Sequence, residues 1–108
     1  MCIFCKILNA EIPNKTILEN ENFLAFEDIN PQANIHALII PKVHIQSFNE
    51  MTPNVMSEMT SFIQEVALSL GVKHDGYRLI TNIGKHGNQE VQHIHFHLLA
   101  GEQLGRLI

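Results

Sequence analysis

Apolar residues repeat with two different periods along this chain, and the switches between them mark out its elements. Ile3–Leu8 is a short apolar stretch, read as a helix and closed by Ile12-Pro13. Two short strands follow, Thr16–Glu19 and Phe23–Asp28, separated by the turn-forming Asn20-Glu21-Asn22. Asn30-Pro31 breaks the chain, and the unbroken apolar run His36-Ala37-Leu38-Ile39-Ile40, bounded by Pro41, predicts a buried central strand. Between Thr52 and Gly71 the period becomes helical: Val55, Met56, Met59, Phe62, Ile63, Val66, Ala67 and Leu70 form one stripe. Thr52 caps that helix, Pro53 suits its first turn and Gly71 its left-handed exit. Met56 and Met59 lie on the stripe and are read as core fillers.

Beyond the helix, Tyr77–Asn82 reads as a strand and Ile83–Glu90, with two glycines and little apolar content, as a loop. A last strand runs from Gln92 to Ala100, and Gly101–Ile108 reads as a tail. The sum is a single α+β domain over residues 1–108. It is predicted as a five-stranded antiparallel sheet with one long and one short helix on one of its faces.

Composition narrows the class without choosing a function. A 45% apolar fraction over 108 residues suits one globular core. No apolar run is long enough to span a membrane, and the first residues lack a signal-peptide layout, so a cytoplasmic location is expected. A net charge of −4 argues against broad binding to a nucleic acid polymer, yet leaves room for a small anion held by local groups. Cys2 and Cys5 are the two cysteines. A reducing compartment disfavours a structural disulfide, and no strand precedes Cys2 to make a thioredoxin-like motif.

The chemistry concentrates in His93-Ile94-His95-Phe96-His97-Leu98-Leu99. On a strand, alternate residues share a face at roughly 6.5–7 Å spacing, so three imidazoles line one side while Ile94, Phe96 and Leu98 enter the core. The loop before them, Gly84-Lys85-His86-Gly87-Asn88-Gln89, offers backbone N–H groups that can converge on a phosphate. A neutral imidazole attacks phosphorus, and His95, flanked on both sides, is the natural nucleophile. A rival reading makes the three strand histidines a catalytic zinc site. Separately, Cys2-x-x-Cys5 supplies half of a tetrahedral zinc set. The other ligands come from seven histidines, among which spacing alone does not choose. His74 and His86 sit in polar segments and read as solvated.

The histidine run resembles the signature of the histidine-triad (HIT) superfamily. Asp28–Lys42, Gly76–Ile80 and Ile3–Ile7 are similar to its Hint branch of purine nucleoside phosphoramidases, and the likeness covers nearly the whole chain. The resemblance implies a homodimer joining two five-stranded sheets into a ten-stranded one. It implies binding of purine nucleotides such as AMP or GMP, and hydrolysis of nucleoside 5′-phosphoramidates through a nucleotidyl-histidine intermediate. By matching position, His95 is the nucleophile and His97 contacts the scissile phosphate or leaving group, with His93 and His36 as supporting imidazoles. Asp28 binds the ribose hydroxyls, Ile29 packs on the base, and Asn82, Gln89 and the backbone of Val91 hold the phosphate.

Two departures matter. Many Hint proteins have Gly-Gly-Gln-Ser where this chain has Gly87-Asn88-Gln89-Glu90. Glu90 then serves through its N–H or faces a leaving-group amine. Zinc-containing relatives carry ligands at positions matching Cys2, Cys5, His44 and His93, which implies a structural zinc and makes His93 a brace for His95 rather than a proton carrier. Alternative functions are a dinucleoside polyphosphate hydrolase and a zinc-stabilised nucleotide-binding or adaptor dimer with vestigial catalysis. The short tail Gln103–Ile108 leaves leaving-group preference open.

Overall fold

The computed structural model describes residues 2–108. In chain order they form a short helix α1 (Ile3–Leu8), strands β1 (Thr16–Glu19), β2 (Phe23–Glu27) and β3 (Ile35–Pro41), a long helix α2 (Pro53–Leu70), and strands β4 (Arg78–Ile80) and β5 (Phe96–Ala100). The strands make one antiparallel sheet in the order β1-β2-β3-β5-β4. A 3-10 turn at Phe48–Glu50, capped by Ser47, was not foreseen by the apolar pattern. Among the described residues no helix is long and apolar enough to cross a membrane.

Helix α2 begins and ends where its caps dictate. Thr52 Oγ1 accepts the Val55 N–H at 3.3 Å, Pro53 opens the first turn, and Gly71 adopts a left-handed φ of 72°. The helix buries Met59, Phe62, Ile63, Val66 and Ala67 against Phe23, Ala25, Ala37, Ile39 and Leu98 of the sheet. Leu24, Phe26, Leu38 and Ile40 alternate with those strand residues and emerge on the other face, where Phe4 of α1 joins them. The two helices therefore cover opposite faces, not one face as the sequence predicts. The cause is β3, which is apolar at both parities and gives the sheet two apolar faces, of which α2 covers one.

A second correction concerns the histidine strand. Its pairing runs from Ile35–Ala100 to Ile39–Phe96 on one side, and from Arg78–Leu99 to Ile80–His97 on the other. Ahead of Phe96 the ladder stops, because Ile94 N–H donates to the Ile45 carbonyl at 2.7 Å and the His95 carbonyl accepts from Thr81 Oγ1 at 2.8 Å. Only His97 lies within β5, while His93 and His95 occupy the lead into it, and β4 ends at Ile80 rather than Asn82. The tail forms no element, yet it is tied down. Asn34 N–H donates to Glu102 Oε1 at 2.7 Å, and Arg78 Nη2 donates to the Gly105 carbonyl at 2.6 Å.

Candidate functional site

On the α1 face a cleft of about 1180 Å³ gathers Phe4, Asp28, Ile29, His36, Asn82, Glu90, Val91, His95 and His97. Asp28 sits where β2 ends. Its N–H bonds the His36 carbonyl at 3.0 Å and its Oδ1 accepts the Asn30 N–H at 2.8 Å, so a tight turn fixes the carboxylate. Ile29 follows with 90% of its surface exposed beside the cleft, an apolar patch that a flat ring can cover.

Main-chain partners set the tautomer of each key imidazole. A carbonyl oxygen only accepts, so contact of His93 Nε2 with the Pro41 carbonyl at 2.9 Å places the proton on Nε2. By the same reasoning His95 Nδ1 donates to the His93 carbonyl at 2.8 Å, leaving the lone pair on His95 Nε2. His36 Nδ1 instead accepts the Gln32 N–H at 3.0 Å, so its proton is on Nε2. That proton is directed at His97 Nδ1, 2.9 Å away, with Asp28 Oδ2 at 3.4 Å. His97 consequently carries its proton on Nε2. A lone pair on one ring and an N–H on the next stand side by side, the His95 and His97 centroids being 5.1 Å apart.

Electrostatics lower the proton affinity of His97 and His36. Burial, reinforced by the neighbouring His95 and His36 imidazoles, pushes His97 down to about 4, with Asp28 acting the other way. Burial likewise lowers His36, against the opposing influence of Asp28. Both shifts have one sign. Between the unfolded value near 6.5 and the lower folded one, the unfolded chain binds more protons, so stability is full above pH 6.5 and falls as pH drops from there toward 4. Urea midpoints measured at several pH values from 7.5 to 4.5 should decline accordingly, and His97→Gln should flatten the decline. An unchanged slope in that variant would remove His97 from the account.

A second constellation lies against the first. The sulfurs of Cys2 and Cys5 are 3.2 Å apart, and the Nδ1 atoms of His44 and His93 lie 3.3 to 3.7 Å from them. A tetrahedral zinc, with bonds of roughly 2.3 Å to sulfur and 2.0–2.1 Å to nitrogen, sets its ligand atoms about 3.3–3.8 Å apart; the sulfur–nitrogen distances fall in that range, and the two sulfurs need part by only a few tenths of an ångström. The donor chemistry fits as well. His93 offers the nitrogen that its Pro41 bond leaves unprotonated, with the ring held by that bond. As thiols, burial and the adjacent Cys2 sulfur raise Cys5 above its ordinary value, a penalty that a divalent cation relieves by holding thiolates. Asp28, His36 and His97 also bring ligand atoms close together. They do not fit a metal: His36 would need lone pairs on both nitrogens, one for Gln32 N–H and one for the ion. They form a hydrogen-bonded relay instead.

The glycine loop is tightly self-bonded. Gly84 N–H donates to Gln89 Oε1 at 3.0 Å, Gln89 N–H returns to the Gly84 carbonyl at 3.0 Å, and Gln89 Nε2 donates to the Gln46 and Val91 carbonyls. The buried Gln89 amide thus holds the loop and lies outside the cleft lining. Asn88 adopts a left-handed φ of 61°, which asparagine tolerates. Gly87 has no such freedom to change, since a Cβ there would fall on the Ile83 carbonyl with Ile83 N 2.9 Å away. Gly87→Ala should therefore strain the loop and lower the urea midpoint, and an unchanged midpoint would show that the Ile83 segment gives way without cost.

Of the residues singled out from sequence, Cys2, Cys5, His44 and His93 converge on one point, and Asp28, Ile29, His36, Asn82, Glu90, Val91, His95 and His97 on the cleft. His93 has both ring nitrogens engaged away from the cleft, and its carbonyl, not its ring, meets His95. His74 and His86 are exposed. Sequence reasoning missed Phe4, whose ring stands perpendicular to His95 at 5.0 Å, and the main-chain groups of Gln32 and Pro41. The only available signal for Phe4 was its place between the two cysteines.

Comparison with known proteins places this geometry. The HIT domain family model matches residues 9–104. A HIT-like protein of Helicobacter pylori is 57% identical over 103 residues, covering 95% of this chain and 99% of its own. The purine nucleoside phosphoramidase of Escherichia coli is 41% identical over 109 residues, covering 98% of this chain and 92% of its own. Among solved structures, a HIT family hydrolase from Legionella pneumophila superposes with a TM-score of 0.91 at 42% identity, covering 97% of this chain and 96% of that one.

Proposed function

The chain belongs to the HIT domain family, and from that premise we propose that it is a nucleotide hydrolase cleaving purine nucleoside 5′-phosphoramidates to the nucleoside monophosphate. One observation carries the reading. His95 Nδ1 is bonded to the His93 carbonyl, so the Nε2 lone pair of a cleft-lining imidazole is permanently the nucleophilic one. In the reaction this nitrogen bonds to phosphorus as the P–N bond to the amine breaks, and the departing nitrogen takes its proton from solvent. Water then attacks phosphorus and gives a proton back to solvent as the Nε2–P bond breaks, and the monophosphate leaves with His95 restored. His97 Nε2–H donates toward the phosphoryl oxygens or the leaving nitrogen. The Asp28–His36 pair behind it holds that donor in place.

Nucleoside recognition follows from the same cleft. The Asp28 carboxylate accepts ribose hydroxyls, the exposed Ile29 covers a purine such as that of AMP or GMP, and Asn82 with the Glu90 and Val91 backbone holds the phosphate. Cys2, Cys5, His44 and His93 would hold a zinc ion in a structural role, supplying the four protein donors of a tetrahedral set. A homodimer is part of the reading. β4 forms an open edge of the sheet, with Leu79 exposed, along which a second copy can extend five strands to ten. A cytoplasmic location suits the reduced cysteine pair.

The test compares initial rates on adenosine 5′-phosphoramidate and on a diadenosine polyphosphate. Release of AMP from the first at the higher kcat/KM supports the proposal. Faster cleavage of the second would replace it with a polyphosphate hydrolase, and tight AMP binding without turnover on either would leave a vestigial binding dimer.

A further inference from the structure

Helix α1 belongs to both constellations. Cys2 caps it, Cys2 Sγ accepting the Cys5 N–H at 3.2 Å, and Cys5 lies in its first turn. Between those two ligands Phe4 is buried, with 5% exposure, and its ring touches three others. It stands perpendicular to His93 at 5.8 Å, to His95 at 5.0 Å and to Phe26 at 5.8 Å. Ile3 and Ile7 of the same six-residue helix line the cleft beside it. An isolated helix this short does not hold itself together in water. Its placement therefore depends on its two anchors, the sulfur–imidazole cluster at one end and the apolar face of the sheet beneath it.

We infer that Phe4 is a positioning residue that transmits the state of the Cys2–Cys5–His44–His93 cluster to the His95 ring and the wall of the nucleotide cleft. The cluster fixes the N-terminal end of this short helix, the helix fixes the Phe4 ring, and that ring packs edge-to-face on His95, blocking motion it would otherwise make. His93 offers a second route through its carbonyl, but that route runs along the main chain and does not pass through Phe4. The two routes make different predictions, which is what allows a test. The inference takes from the proposed function that nucleotide binds in this cleft and that the Cys2–Cys5–His44–His93 cluster holds a metal ion. Its first readout needs no nucleotide at all.

That readout is the proton resonance of the His95 ring, which carries the ring-current shift of the Phe4 side chain packed on it. In the metal-loaded native protein and after chelation, the His95 ring signal should move, because Phe4 moves. In Phe4→Leu, which keeps an apolar side chain in the wall, the same chelation should leave the His95 signal nearly still. The second readout is a thermodynamic cycle on AMP affinity using the same four samples. Perpendicular aromatic pairs of this kind are worth roughly 2- to 10-fold, so Phe4→Leu should weaken AMP by about that factor when the cluster is loaded and by much less when it is stripped. Metal content, by elemental analysis, should be equal in native and Phe4→Leu proteins. If the stripped chain no longer melts cooperatively, both measurements are made on His44→Ala, which leaves three protein ligands around the metal. A His95 shift on chelation that is as large in Phe4→Leu as in the native protein, or additive losses of AMP affinity, would overturn the assignment. Turnover of the phosphoramidate is not needed for either result, so failure of the proposed reaction is distinguishable from failure of this link.

Discussion

Replacing His95 with alanine should lower kcat on adenosine 5′-phosphoramidate by about 10⁴-fold or more, while AMP still binds within roughly tenfold of the native affinity. The asymmetry follows from the tautomer. The His95 ring contributes one lone pair to the cleft, on Nε2, and no other cleft-lining histidine duplicates it: His97 presents an N–H there and His36 turns its proton toward His97. Losing the nucleophile removes the covalent step, whereas losing a donor weakens only charge stabilisation. His97→Ala should accordingly cost about 10²–10³-fold. Rapid acid quenching should trap a nucleotidyl-enzyme in the native protein and none in His95→Ala. A His95→Ala protein retaining a tenth of native activity would end the assignment.

Removing the metal should have the largest effect on stability. Elemental analysis should find about one zinc per chain, lost in Cys5→Ser, with unfolding stability falling by at least about 3 kcal/mol, or roughly 12 °C or more in Tm for a domain this size. The four donors come from the start of α1, from the segment after β3 and from the lead into β5, so a bound ion would join three stretches of chain that the sheet ladder does not hold together there. Without it His93 remains fully buried with only thiol sulfurs as hydrogen-bond partners for its Nδ1, a weaker contact than a metal bond. The variant should keep partial activity, because the cleft side chains themselves are untouched. Zinc retained in Cys5→Ser but lost in His95→Ala would instead place the metal on the triad.

Legibility in the sequence followed physical range. Helix α2 was readable because cap, proline, apolar stripe and terminal glycine all act within one helix. The succession of strands along the chain was readable from short apolar runs between turn residues. Placement of α1 was not, because its side of the sheet depends on the two-sided apolarity of β3, a property of the assembled sheet. The histidines were visible by residue type, but their roles rest on the carbonyls of Pro41 and His93 and the N–H of Gln32, groups every residue possesses. The purpose of Gln89 was hidden for the converse reason. Its amide looks suited to an anion, and only the folded loop shows that Gly84, Gln46 and Val91 take it. The β5 boundary was missed because alternation continues through His93–His95 while the hydrogen-bond partners there have changed.

The sulfur–imidazole cluster also has a kinetic consequence. It brings residue 2 beside residue 93, a separation of 91 positions, and it includes residues on the far side of every strand but the last. Closing so long a loop is costly in chain entropy before any contact rewards it, so this knot forms after the sheet has drawn its parts together. Interactions absent from the folding transition state slow unfolding without hastening folding. In a chevron plot the metal should therefore shift the unfolding limb and leave the refolding limb almost where it was, making the ion a latch on an assembled protein rather than a seed for its assembly.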